Sequence, residues 1–200
     1  MKKWLTFLFC LMFSAVVFAQ SDPMNVLQPI SNQMLAALKA NRSRLKSDPN
    51  LVYRLVNQIV VPHVDVVGMS RSVLGRTAWR SASSAQQQAF TNAFKRVVIN
   101  TYSSALNAYT DETMRFFPIR GGYQGKTRVQ VYSQVVRKSG PPVPVSYRMI
   151  LMSGQWKVYD LNVEGVSLLQ SFHAQFADQL SQGKSVAQIT NDLNRRRTKQ

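Results

Sequence analysis

Tyr159 and Asp160 are the pair in this sequence best suited to moving a proton. A phenol and a carboxylate beside an apolar cavity on a curved sheet are what a proton-shuttling isomerase would use. Adjacent on a strand, however, the two side chains point to opposite faces and cannot both meet one substrate. Asp160 therefore reads as a structural acceptor, for backbone amides near Glu164-Gly165 or for an arginine. Glu164 has the character of an orienting or capping acid at a helix start. His63 follows Pro62 at a helix boundary, and His173 lies mid-helix beside Phe172. Neither has a matching acid or nucleophile, and two histidines without nearby cysteine give no metal-ligating spacing. Gly121-Gly122-Tyr123-Gln124-Gly125-Lys126-Thr127 resembles a phosphate loop at first sight. Arg120, however, occupies a position that pattern reserves for glycine, and a strand follows where a phosphate loop opens a helix. The segment is a turn. Ser43 with Lys46, and Ser181 with Lys184, have the S-x-x-K spacing but lack its companion motifs. The expectation is no catalytic residue, no metal and no cofactor.

The elements that hold these residues centre on Trp156 to Phe176. Trp156 to Val163 has the β-branched and aromatic composition of a strand. Leu169, Phe172, Phe176 and Leu180 then fall on one helical face, with Glu164-Gly165 as the break between. Apolar residues occupy both faces of the strand: Trp156 and Val158 on one, Tyr159, Leu161 and Val163 on the other. A strand apolar on both faces must be covered on both.

Upstream the chain reads as helices. Asp22-Pro23 starts one that runs to about Lys46, with Leu27, Ile30, Met34, Leu38 and Leu45 as its stripe. Asp48-Pro49 starts a second, carried to Pro62 by Leu51, Leu55, Val56 and Ile59. A third spans Val64 to Leu74, with Gly75 as its left-handed stop and Trp79 in the connection that follows. Ser83 and Gln86 form a capping box opening the longest helix, Ser84 to Tyr109. Strands follow at Met114 to Ile119, interrupted late by Pro118, then at Arg128 to Arg137 and Val145 to Met152. Ser153-Gly154 makes a tight hairpin into the fourth, Trp156 to Val163. A helix from Val166 to near Gly183 and a last one capped by Ser185 with Gln188 complete the chain. The expected fold class is α+β, with helices packed against a curved four-stranded antiparallel sheet.

The 200 residues suit one domain preceded by an export signal. Lys2 and Lys3 precede an apolar run from Leu5 to Phe18, and Val17-Phe18-Ala19 suits a signal peptidase. Cleavage after Ala19 makes residues 20–200 the expected mature domain, free of cysteine because Cys10 is the sole one. Without Lys2 and Lys3 there are 23 basic against 9 acidic residues, a balance of +14. Such a charge favours anionic lipid headgroups or an acidic partner surface. Export argues against nucleic acid.

Tyr159-Asp160-Leu161-x-x-Glu164-Gly165-Val166-Ser167-Leu168, running into a helix, resembles the signature of the MlaC-type periplasmic phospholipid carriers. Val73-Leu74-Gly75-Arg76 with Trp79-Arg80-Ser81-Ala82-Ser83, and Ala89-Phe90-x-x-Ala93-Phe94, are also similar to that family. The short, arginine-rich tail after Asn194 departs from it. The resemblance implies helices around a strongly curved sheet, an apolar lipid cavity between them, and diacyl phospholipid as cargo rather than cofactor. It implies ferrying between an outer-membrane lipoprotein–porin complex and an inner-membrane ABC transporter with a lipid-binding substrate domain, in support of outer-membrane lipid asymmetry. The candidate lining is Phe90, Phe94, Val97 and Leu106 of the long helix; Tyr147, Met149 and Leu151 of the third strand; Tyr159 and Leu161 of the fourth; and Val166, Leu169 and Phe172 after the break. Core packing and lipid contact call for the same residue types at each of these positions. Two other functions compete: an enzyme of the isomerase or dehydratase type on such a sheet, and a chaperone-like binder of exported proteins.

Overall fold

The computed structural model describes residues 20–195. The expected signal peptide with Cys10, and Arg196, Arg197 and Lys199 of the basic tail, lie outside them. Capping chemistry decides where the helices begin. Asp22 Oδ1 accepts the Met24 amide at 2.8 Å, and α1 runs over Met24–Ala40. It stops short of Lys46 because Asn41 donates its side-chain amide to Ala37 O at 2.9 Å, closing the last turn. A 3-10 turn, Arg42–Arg44, still delivers Leu45 to the core. Then come α2 (Leu51–Ile59) and α3 (Val66–Leu74). The latter begins later than Val64 because Asp65 is its cap, accepting the Gly68 amide at 2.9 Å. Val64 instead bridges in parallel to Val158, and the Asp65 amide donates to Val158 O at 2.8 Å.

Gly75 stops α3 at φ 77° and ψ 162°, a positive-φ extended conformation rather than the left-handed helical one. The expected connection after it is a short helix, α4 (Arg76–Ser81), which carries Trp79. The capping box forms as expected. Ser83 Oγ accepts the Gln86 amide at 3.2 Å, the Ser83 amide donates to Gln86 Oε1 at 2.8 Å, and α5 spans Ser84–Asn107.

The sheet is an antiparallel meander of β1 (Thr113–Phe116), β2 (Arg128–Val136), β3 (Val143–Met152), β4 (Gln155–Val163) and β5 (Val166–Ser167). Ser153 and Gly154 both have positive φ, the backbone of a two-residue hairpin link. The same device recurs at Glu164 and Gly165, φ 52° and 86°. It turns the chain into a fifth strand where a direct entry into helix was expected, pairing Val163 with Val166 and Asn162 with Ser167. Glu164 thus sits in a hairpin rather than capping a helix. The next helix, α6, begins only at Leu168 and ends at Ser181. The last, α7 (Val186–Arg195), has the expected Ser185–Gln188 box, with amide contacts of 2.8 and 3.2 Å.

Three apolar clusters hold these elements. Helices α3, α5, α6 and α7 meet around Phe90, Phe94, Phe172 and Phe176. Helices α1 and α2 close on Met34, Leu38, Val52 and Ile59. Leu27 of α1 packs with Val129, Val131, Met149 and Trp156 of the sheet. The start of the described chain is fastened there too. Trp156 Nε1 donates to Ser21 O at 2.7 Å, and the Gln20 side chain bonds Lys126 O and the Gly125 amide at 2.7 and 2.8 Å.

Candidate functional site

A β-bulge in β4 sets the geometry of the sheet. Met149 pairs with Val158, but Arg148 pairs with Asp160, so Tyr159 and Asp160 together oppose one residue. The extra residue shifts the phase of the strand. Trp156, Val158, Leu161 and Val163 pair with Leu151, Met149, Tyr147 and Val145, which alternate along β3 and share one face. The expected division of these residues between two faces is therefore wrong. All four apolar residues line the same side, and β2 adds Val129, Val131 and Val135 to it. The other side carries Arg115, Gln130, Arg148 and Lys157 and needs no cover. There Arg115 lies 5.6 Å from the Phe117 ring and Arg120 5.4 Å from that of Tyr132.

The bulge also removes the argument that Tyr159 and Asp160 face opposite ways. What occupies Asp160 is capping. Its Oδ2 accepts from Ser167 Oγ at 2.7 Å, its Oδ1 accepts the Leu169 amide at 3.0 Å, and Arg148 stands 3.7 Å away. Ser167 in turn accepts the Gln170 amide at 3.1 Å. A carboxylate 1% exposed is thereby matched with donors at the first turn of α6, where helix amides lack partners. Asp160 is the structural acceptor expected, with the arginine partner, but the amide it takes is that of Leu169 rather than one near Glu164-Gly165.

Cover on the apolar face is incomplete. Leu27 of α1 sits over Val129, Val131, Met149 and Trp156, and Leu161 reaches the aromatic cluster beneath α6. The longest helix, α5, packs chiefly on α2, α3 and α7 rather than on the sheet. Met114, Phe116, Val135, Val143, Tyr147, Leu151, Val158 and Val163 are left only half-buried. Phe116 and Tyr147 stack with centroids 6.2 Å apart. Burial pushes the Tyr147 phenol above its ordinary pKa, with a side-chain hydrogen bond to Ser133 acting the other way. The hydroxyl stays neutral through the physiological range, and the face carries no charge there.

The comparisons with known proteins agree with this architecture. Residues 28–195 match the family described as MlaC protein. The chain belongs to that family. Among MlaC relatives, the toluene tolerance protein ttg2D of Pseudomonas putida is 34% identical over 166 residues, covering 83% of this chain and 76% of that protein. The intermembrane phospholipid transport system binding protein MlaC of Haemophilus influenzae is 25% identical over 177 residues, 85% and 82% of the two chains. The structure of a phospholipid-binding protein from Ralstonia solanacearum, in complex with a phospholipid, superposes with a TM-score of 0.82. It is 30% identical and covers 88% of this chain and 97% of its own.

In this MlaC-family chain the expected lining residues separate into groups. Phe90, Phe94, Val97, Leu161, Leu169 and Phe172 gather at the aromatic cluster, where Phe94 and Phe172 meet edge to face at 5.2 Å. Tyr147, Met149 and Leu151 lie on the sheet around Trp156. Leu106 packs on the α1–α2 pair. Tyr159 is half-buried at the bulge, and Val166 is 62% exposed at the β4–β5 turn. Phe116, Val131 and Val158 belong to the apolar face and were missed. The alternation of Val129, Val131 and Val135 held the signal for β2, while Phe116 is hidden in a short strand before Pro118.

His173 Nδ1 lies 3.2 Å from Val73 O, a helix-to-helix contact. Partial burial, and then the Lys157 charge, hold the His63 pKa below its ordinary value. Among the described residues no group of histidine, cysteine, aspartate and glutamate could hold a metal, and no helix is long and apolar enough to cross a membrane.

Proposed function

We propose that this protein is a periplasmic phospholipid carrier, holding diacyl lipid between the apolar face of its sheet and the helices. The observation that carries the reading is that face itself: one continuous apolar side, phased by the bulge and only partly covered by α1 and α6. Each methylene moved from water into such a surface is worth about 0.8 kcal/mol, so acyl chains bind there without any catalytic group. Transfer from a bilayer is then nearly neutral, and handover runs in whichever direction the partners favour. The name of the Haemophilus relative and the phospholipid in the Ralstonia structure support this class of cargo. On this reading an outer-membrane lipoprotein–porin complex and an inner-membrane ABC transporter are the exchange partners, and the result is maintained lipid asymmetry.

Native mass spectrometry of protein purified from an envelope extract tests the proposal. It expects roughly stoichiometric diacyl phospholipid. Folded protein that stays lipid-free, even after incubation with liposomes, overturns it.

A further inference from the structure

Most basic side chains among the described residues are already engaged. Arg42, Arg54 and Lys138 pair with Asp111 or Asp48, Arg148 with Asp160, and Lys184 with Asp192. Arg71, Arg76 and Arg80 are among those that are not, and they alone of these lie together in one cleft. They line one surface cleft of about 520 Å³ together with Ser72, Gly75 and Trp79, on the α3–α4 corner. Each of the three arginines is exposed and makes no hydrogen bond, ion pair or ring contact with the protein. The Ser72 hydroxyl and the Trp79 indole N–H are likewise unpartnered.

The chemistry of this lining is one-sided. Guanidinium groups and the indole N–H donate only, the Ser72 hydroxyl can donate, and no carboxylate lines the cleft. Arg76 and Arg80 are four residues apart on a six-residue helix, so they face the same way. Like charges at that spacing destabilise a helix unless an anion lies between them. Arg71 brings a third guanidinium from the preceding helix. Arginine forks match the several acceptor oxygens of a phosphate group, and an indole flank suits the headgroup region of a bilayer.

We propose that the cleft formed by Arg71, Arg76, Arg80, Ser72 and Trp79 is a phosphate-group site, separate from the apolar face of the sheet. Its ligand is a phosphate carried by an anionic lipid headgroup at a membrane surface or free in solution. The proposal stands on the cleft and does not require that the protein carry lipid.

The test uses the folded chain in chloride buffer. The indole N–H resonance of Trp79 is followed as inorganic phosphate is added, and co-sedimentation with phosphatidylglycerol vesicles is measured in parallel. A saturable shift is expected, abolished in the Arg71→Gln/Arg76→Gln/Arg80→Gln variant. If vesicles displace phosphate, the headgroup is the source; if phosphate saturates the site and vesicles do not displace it, free phosphate is. At about fivefold per basic residue, the triple variant loses about a hundredfold in affinity and Arg76→Gln alone about fivefold. The single variant keeps the test open should the triple one fold poorly. Lys39→Gln/Lys46→Gln/Arg128→Gln removes the same charge elsewhere and should leave the Trp79 shift intact. Absence of a saturable shift, its persistence in the triple variant, or equal loss in the Lys39/Lys46/Arg128 variant overturns the proposal.

Discussion

The aromatic cluster and the apolar face of the sheet are built from the same kinds of residue, yet they are different objects. In the cluster Phe90, Phe94 and Phe176 are buried to 0%, 1% and 0% exposure, with ring centroids 5.4 Å apart between Phe90 and Phe176. On the sheet, Tyr147, Leu151, Val158 and Val163 have partners along the strands but only partial cover above. One region is satisfied by protein. The other offers apolar surface that protein does not fill. Composition alone cannot separate a closed core from an apolar face left partly open; the completeness of cover can.

Substitutions should divide along that line. Phe176→Ala opens a cavity in the cluster and should cost about 3–5 kcal/mol. Val163→Ala on the sheet removes half-buried methyls and should cost about 1 kcal/mol. Thermal melts of delipidated protein measure both, and equal losses would erase the distinction. Asp160→Asn falls between the two, at about 1–3 kcal/mol, because a charged acceptor is taken from buried donors at the start of α6. Its melting temperature should fall while the folded fraction keeps its lipid, as read by native mass spectrometry. Loss of turnover of a small substrate without any change in melting would instead favour the enzyme reading.

Val166→Glu sharpens the comparison from the other side. Val166 is exposed in the protein alone, so the change should move stability by no more than about 0.5 kcal/mol. If Val166 belongs to the proposed cargo surface, lipid occupancy should nonetheless fall, because a carboxylate resists burial against acyl chains. Normal occupancy would place Val166 outside the cargo surface. Added salt should leave bound lipid in place and slow transfer from anionic liposomes, since surface charge interactions are screened within about 8 Å at physiological salt. Lipid lost in step with transfer would mean that charge holds the cargo.

Local signals in the sequence located most elements. The Ser83–Gln86 and Ser185–Gln188 boxes, the Ser153-Gly154 link and the alternation of β2 all appear as read. The bulge at Tyr159 does not show, because a single extra residue changes no composition and its evidence lies in the pairing with β3. That omission is why the four apolar residues of β4 were divided between two faces. Asp160 was legible as an acceptor, but not its partners Ser167 and Leu169, whose positions depend on the two-residue β5. Trp79 looked like a connection because six residues are too few for helical periodicity to show. The sorting of Phe90, Phe94 and Phe172 into a closed cluster depends on tertiary contacts that periodicity cannot report.

The bonds of Gln20 and Ser21 to Gly125, Lys126 and Trp156 bear on how the chain comes to be folded. A polypeptide emerging N-terminus first presents α1 early, but the seat for Leu27 is completed only when Met149 and Trp156 have followed. Contacts spanning so much of the chain must wait on slow loop closure. The N-terminal end of α1, around Leu27, is therefore released early yet among the last parts of the domain to be buried, whereas Met34 and Leu38 close on α2 sooner. During that interval the Leu27 end stays open to water, and closure of α1 onto the sheet is the event that ends the exposure.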